Sequence, residues 1–176
     1  AVVNGDTELS AWVAYWDMDS VVEEIEGLGG NLTKLVYFGA SLDEDLKVVV
    51  PEGFVEQCEV VNRSEAEPYV SSVNDVVVEG GSNSLKDTDV LYEIFEDDVR
   101  MEGHVEEIVA VAKEISVDGV EIDYERIRGE MKLWKLFGEF CSRLEKRLME
   151  EGLKFRIVLE PSTPFGDVEL PESAEY

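Results

Sequence analysis

Glu121, Asp123 and Glu125 stand at every second position of the run Asp118-Gly119-Val120-Glu121-Ile122-Asp123-Tyr124-Glu125. Side chains of an extended strand alternate between its two faces, so these carboxylates share one face and Val120, Ile122 and Tyr124 the other. Neighbouring acids on that face lie about 6 to 7 Å apart, and their repulsion opposes folding unless something offsets it. Such a row can move protons to and from a bound substrate, or hold a hard cation such as Ca²⁺ or Mg²⁺. Its spacing does not fit an EF-hand loop. The apolar partners are β-branched or aromatic, as a half-buried strand prefers.

The elements needed to position this row are legible on both sides. Ala11 to Asp17 is aromatic-rich and reads as a first strand; Asp19 or Ser20 caps a short helix to about Leu28. Lys34 to Ala40 reads as a second strand, with a minor strand or hairpin around Lys47 to Val50 and Glu59 to Val61, and Pro68 to Val73 opens a third. From Asp87 or Thr88 the pattern is helical, as two short helices with an apolar stripe of Ile108, Val111, Ala112 and Ile115. After the acidic run, Leu133, Leu136, Phe137, Phe140, Leu144 and Leu148 mark a core-facing helix ending near Gly152. Lys154 to Leu159 is a fifth strand, and Glu160 to Pro164 a loop. Strands alternating with helices predict a parallel α/β sheet.

Composition narrows the function. The 176 residues are enough for one domain and are 44% hydrophobic, which excludes a disordered acidic tail. A formal net charge of −26 repels nucleic acid and anionic membranes, so neither is expected as a partner. No run approaches the roughly 20 apolar residues of a membrane span. Cys58 and Cys141 are expected to be free buried thiols, and the sole histidine, His104, a surface residue of a helix. One histidine allows neither a histidine-based triad nor a multi-histidine metal site, and no cofactor is indicated.

The acidic run resembles the active-site signature of the family 18 glycoside hydrolases, the chitinase-like enzymes, Asp-Gly-x-Asp-x-Asp-x-Glu on the fourth strand of a (β/α)8 barrel. Asp118, Gly119, Asp123 and Glu125 match it, and Glu121 stands where the family has Asp. The five strands correspond in order to the first five of such a barrel, so the resemblance spans residues 1–176 as a single, incomplete TIM-barrel-type domain. The family's Ser-x-Gly-Gly is replaced by Ser71-Ser72-Val73-Asn74-Asp75, which is closer to the spore-cortex and cell-wall lytic branch. A full barrel takes about 250 residues. The resemblance therefore implies that a missing C-terminal part or self-association completes the wall.

It also implies a reaction: substrate-assisted, retaining hydrolysis of β-1,4-linked N-acetylglucosamine polymers, chitin or peptidoglycan, needing neither cofactor nor metal. Glu125 would be the acid, Asp123 the partner of the acetamido group, Glu121 a group sharing a proton with Asp123, and Asp118 a structural residue at the strand's start. Tyr15, Trp16, Asp17 and Tyr37 fall where the family binds sugar rings. The expected partner is an oligo- or polysaccharide and the expected location secreted or cell-surface. Two other readings remain: a chitinase-like binding protein without turnover, and a divalent-cation site on the acidic row.

Overall fold

The structure, a computed structural model, describes residues 8–18, 20–21, 24–25, 32–61, 65–127 and 130–159. The short helix expected to run to Leu28 falls largely outside them, and the loop from Glu160 to Pro164 wholly so. The elements are β1 (Ser10–Ala14), a 3₁₀ turn (Tyr15–Asp17), β2 (Lys34–Leu42), β3 (Val48–Val49), α1 (Phe54–Val61) and β4 (Glu67–Val76). They continue with α2 (Thr88–Phe95), α3 (Asp98–Ile115), β5 (Gly119–Asp123), α4 (Met131–Glu150) and β6 (Lys154–Ile157). Five strands pair in parallel in the order β1-β2-β4-β5-β6, and β3 adds antiparallel to β2.

Two expectations fail locally. Tyr15–Asp17 forms a 3₁₀ turn instead of prolonging the first strand. Glu59 to Val61 closes α1, because Phe54, Cys58 and Val61 recur at helical spacing and are all buried. Asp caps divide the helical stretch: Asp87 accepts from the amides of Asp89 and Val90, and Asp97 from those of Val99 and Arg100. The second of these helices has 18 residues, longer than expected, and stops at Ser116 in the left-handed conformation, which turns the chain into β5.

Helices cover one face of the sheet. Val13, Leu35, Tyr37, Val70, Val120 and Ile122 pack there with Leu91, Phe95, Ile108, Phe140 and Leu144. The other face carries the register row Ala14, Phe38, Ser71, Glu121 and Arg156. Gly119 is required beneath this face, since a Cβ there would stand 2.4 Å from the Tyr69 ring.

A flat sheet would hold its outermost strands β1 and β6 about 19 Å apart. Instead, Arg156 of β6 reaches Ser10 Oγ at 3.1 Å and Glu8 Oε1 at 3.3 Å, so the sheet curls into a trough. Among the described residues, the outer edges of β1 and β6 have no strand partner. Large apolar side chains stay exposed beside them: Trp12 and Trp16 on one side, Ile157 and Leu159 on the other.

Candidate active site

The trough's polar floor is built around Glu121, whose side chain is wholly buried. Trp12 Nε1 donates to its Oε1 at 2.7 Å. Oε2 lies 3.0 Å from Arg156 Nε in an ion pair whose geometry is not that of a hydrogen bond. One carboxylate thus joins β1, β5 and β6, and its charge faces a guanidinium.

Above it, at the C-terminal end of the strands, Asp123 and Glu125 line a groove of about 440 Å³ with Trp12, Ala14, Trp16, Phe38, Val158 and Leu159. Two acids among exposed aromatic faces suit a ligand that is apolar on its faces and polar at its edges, as a pyranose ring is.

The main chain of Glu125 is clamped by Asn74, which is almost fully buried. Asn74 Oδ1 accepts the Glu125 amide at 2.9 Å, and its Nδ2 donates to the Glu125 carbonyl at 3.1 Å and the Asp87 carbonyl at 3.2 Å. At the other end of the side chain, Lys86 Nζ donates to Glu125 Oε2.

The intervening Tyr124 points the opposite way, into the helix layer, stacking on Phe140 and Phe95. His104 Nε2 lies 2.6 Å from its hydroxyl, and Ser72 Oγ lies 3.3 Å away. His104 is therefore a core residue and not the expected surface one. Its Nδ1 has no partner among the described residues; a proton on Nε2 leaves a bare lone pair there instead of an orphaned N–H, the cheaper arrangement. Burial, and secondarily the Lys47 charge, push the His104 pKa down to about 3.

Below about pH 6.5 the unfolded chain takes up this proton and the native state does not, so stability falls as pH drops from 6.5 towards 3. Between pH 6 and 4 we expect wild type to lose about 2 kcal/mol more than His104→Gln. Urea unfolding at the two pH values measures this; equal losses would refute a neutral buried histidine.

No family model matches the sequence, and neither does any curated protein. Solved structures do match. The spore cortex-lytic enzyme SleL of Bacillus cereus superposes with a TM-score of 0.73 at 18% identity over 92% of this chain and 36% of its own. A mutant GH18 chitinase from Cycas revoluta, solved with (GlcNAc)4, gives 0.72 at 16% identity over 93% and 49%. A chitinase from Chromobacterium violaceum gives 0.68 at 13% identity over 85% and 44%. The fold is that of a (β/α)8 barrel, in part. The chain spans about a third to a half of the length of these structures.

On this partial barrel the expected site residues separate. Asp123, Glu125 and Trp16 line the groove. Asp118 lies just before β5, at the opposite end of the strand from the groove, where its amide bonds the Pro68 carbonyl. Tyr15 is exposed and packs edge-on against Trp16, and Asp17 accepts from Ser20 Oγ; neither lines the groove. Tyr37 is a correction: it is 0% exposed, on the helix-facing side, with its ring against Phe54. The strand's alternation assigns the groove to Phe38 instead.

Cys58 and Cys141 are free and buried, and burial raises both thiols to about 12. Trp12, Asn74, Lys86 and Arg156 were not singled out from the sequence. For the cation-site reading, the arrangement is unfavourable: Lys86 and Arg156 bring positive charge to two of the acids a metal would need.

Proposed function

We propose that this groove hydrolyses β-1,4-linked N-acetylglucosamine polymers, chitin or peptidoglycan, by substrate-assisted retaining catalysis. The observation that carries the reading is the convergence of Asp123 and Glu125 with Trp12, Trp16 and Phe38 at the C-terminal ends of parallel strands, where barrel enzymes hold their sites. In the first step the substrate's acetamido carbonyl oxygen bonds to the anomeric carbon. The glycosidic C–O bond breaks, and the leaving oxygen keeps the electron pair and takes a proton from Glu125. Asp123 orients the acetamido group and faces the positive charge of the resulting oxazolinium.

In the second step water bonds to the anomeric carbon and gives a proton to Glu125, and the acetamido C–O pair returns to the carbonyl. Glu121 is the member of the signature whose role changes. Its buried carboxylate is engaged by Trp12 and Arg156, which suits a fixed anion better than a proton shared with Asp123.

Among the described residues the outer edges of β1 and β6 are unpaired, and a second copy pairing along them would extend the wall. An enzyme for such a polymer works at the cell surface or beyond it. A second reading, a chitinase-like protein that binds without turnover, is favoured by the ammonium group resting on Glu125. The two separate in one assay: full-length protein incubated with an N-acetylglucosamine hexamer is expected to release shorter oligomers with the β-anomer formed first. Binding without release would favour the second reading.

A further inference from the structure

Lys86 has a backbone conformation that its residue type does not favour. Its φ is +55°, in the left-handed region, where a non-glycine residue is strained and persists only when its surroundings over-determine it. The surroundings do so here. The Lys86 amide donates to Asp75 Oδ1 at 2.7 Å. On its C-terminal side, the Asp87 amide donates to the Asn74 carbonyl at 2.8 Å and the Asp87 carbonyl accepts from Asn74 Nδ2. On its N-terminal side, Ser84 pairs with Val76 through both main-chain bonds and gives its hydroxyl to Asp87 Oδ2 at 2.7 Å. Arg126 Nη1, from the residue after the acid, reaches the Leu85 carbonyl at 3.4 Å. The Ser84–Asp87 bond closes the segment 84–87 on itself, the other ties fix it against β4 or against the chain leaving β5, and the group it presents to Glu125 is an ammonium.

We propose that Lys86 is a positioning residue for Glu125. Its ammonium fixes the direction of the carboxyl, and the strained segment exists to deliver it. The proposal rests on the hydrolase reading for its consequence, though not for its geometry. An ammonium pairs with an ionised carboxylate and not with a protonated one. The contact therefore forms as Glu125 gives its proton to the leaving oxygen, holds the carboxylate that is to act on water, and parts as Glu125 takes the proton back. Asn74 holds the main chain of Glu125 throughout, so the carboxyl can exchange partners while its backbone stays in place.

The test has two arms. In the first, acylation of Lys86 by acetic anhydride is followed by peptide mass spectrometry in full-length wild type and in Glu125→Gln. We expect about a fivefold faster reaction in the variant, the equivalent of a partly exposed ion pair; equal rates would overturn the proposal. In the second, Lys86→Met is expected to lower kcat by about 10- to 100-fold, a loss typical of a misplaced catalytic group, with KM little changed.

Lys86→Arg should recover part of that loss. Lys86→Gly relieves the backbone and should keep its Tm, yet lose kcat as Lys86→Met does. Wild-type kcat in both Lys86→Met and Lys86→Gly would also overturn the proposal. A full-length protein without turnover whose Lys86 still reacts faster in Glu125→Gln would count against the hydrolase reading while upholding the clamp.

Discussion

Glu125→Gln is expected to abolish release of product from an N-acetylglucosamine oligomer while leaving its binding nearly intact. Loss of a general acid costs about 10²- to 10⁴-fold in rate, and in the proposed mechanism one carboxyl serves both proton transfers. Glutamine is close in shape to the acid it replaces, the main-chain contacts with Asn74 are kept, and the lost ion pair with Lys86 is partly exposed and contributes little stability. The variant should therefore keep its fold, with a Tm near that of wild type. Reducing-end assays beside calorimetric titration check both halves. Full activity in Glu125→Gln would remove the acid from the mechanism.

Arg156→Met should produce the largest loss of stability. Glu121 is wholly buried, and Arg156 is the cation beside its Oε2. Removing one member of a buried pair leaves an uncompensated charge, which costs about 3 to 5 kcal/mol. The lower end applies here, because the Arg156 side chain keeps 29% of its exposure. The double variant Arg156→Met with Glu121→Gln carries no buried charge at this point and should regain most of the loss. Urea unfolding of the four proteins gives the coupling directly. An additive pair of losses would mean that the two groups are independent.

That pair also shows where the sequence stopped being readable. Alternation along Val120 to Glu125 put three acids on one face, and the trough bears this out for Glu121, Asp123 and Glu125. What alternation along one strand does not contain is the partner across the sheet. Trp12 and Arg156 meet Glu121 through strand order and curvature, so the glutamate read as a proton-sharing group is found tied to an indole and a guanidinium.

Asn74 and Lys86 are hidden for the same reason, since they lie in or just beyond β4 and act on the residue that follows β5. Tyr37 illustrates a different loss. β2 is buried on both of its faces along much of its length, so hydrophobicity alone does not say which side faces the trough, and Tyr37 and Phe38 exchange roles. His104 was readable in principle. It shares the spacing of Met101, Val105 and Ile108 on α3, all buried, and that stripe outweighs the polarity of one imidazole.

The fold was the more legible part, because strand and helix periodicities are local. The five parallel strands are found in the expected order, with the expected helices between the third and fourth and between the fourth and fifth of them. Of the departures, the helical Glu59 to Val61 falls where a strand-like composition is overridden by the packing of Phe54, Cys58 and Val61, whereas the 3₁₀ turn at Tyr15–Asp17 buries none of its residues.

Under the proposed function the saccharide binds in the groove below Trp16 and beside Glu125. Titrating an N-acetylglucosamine hexamer into isotope-labelled, full-length Glu125→Gln, and following the indole N–H signals of its tryptophans by NMR, tests it most directly. Saturable shifts are expected at Trp12 and Trp16 and none at Trp134, which packs against Phe137 on α4. Shifts confined to Trp134, or an absence of shifts at saturating hexamer, would contradict it.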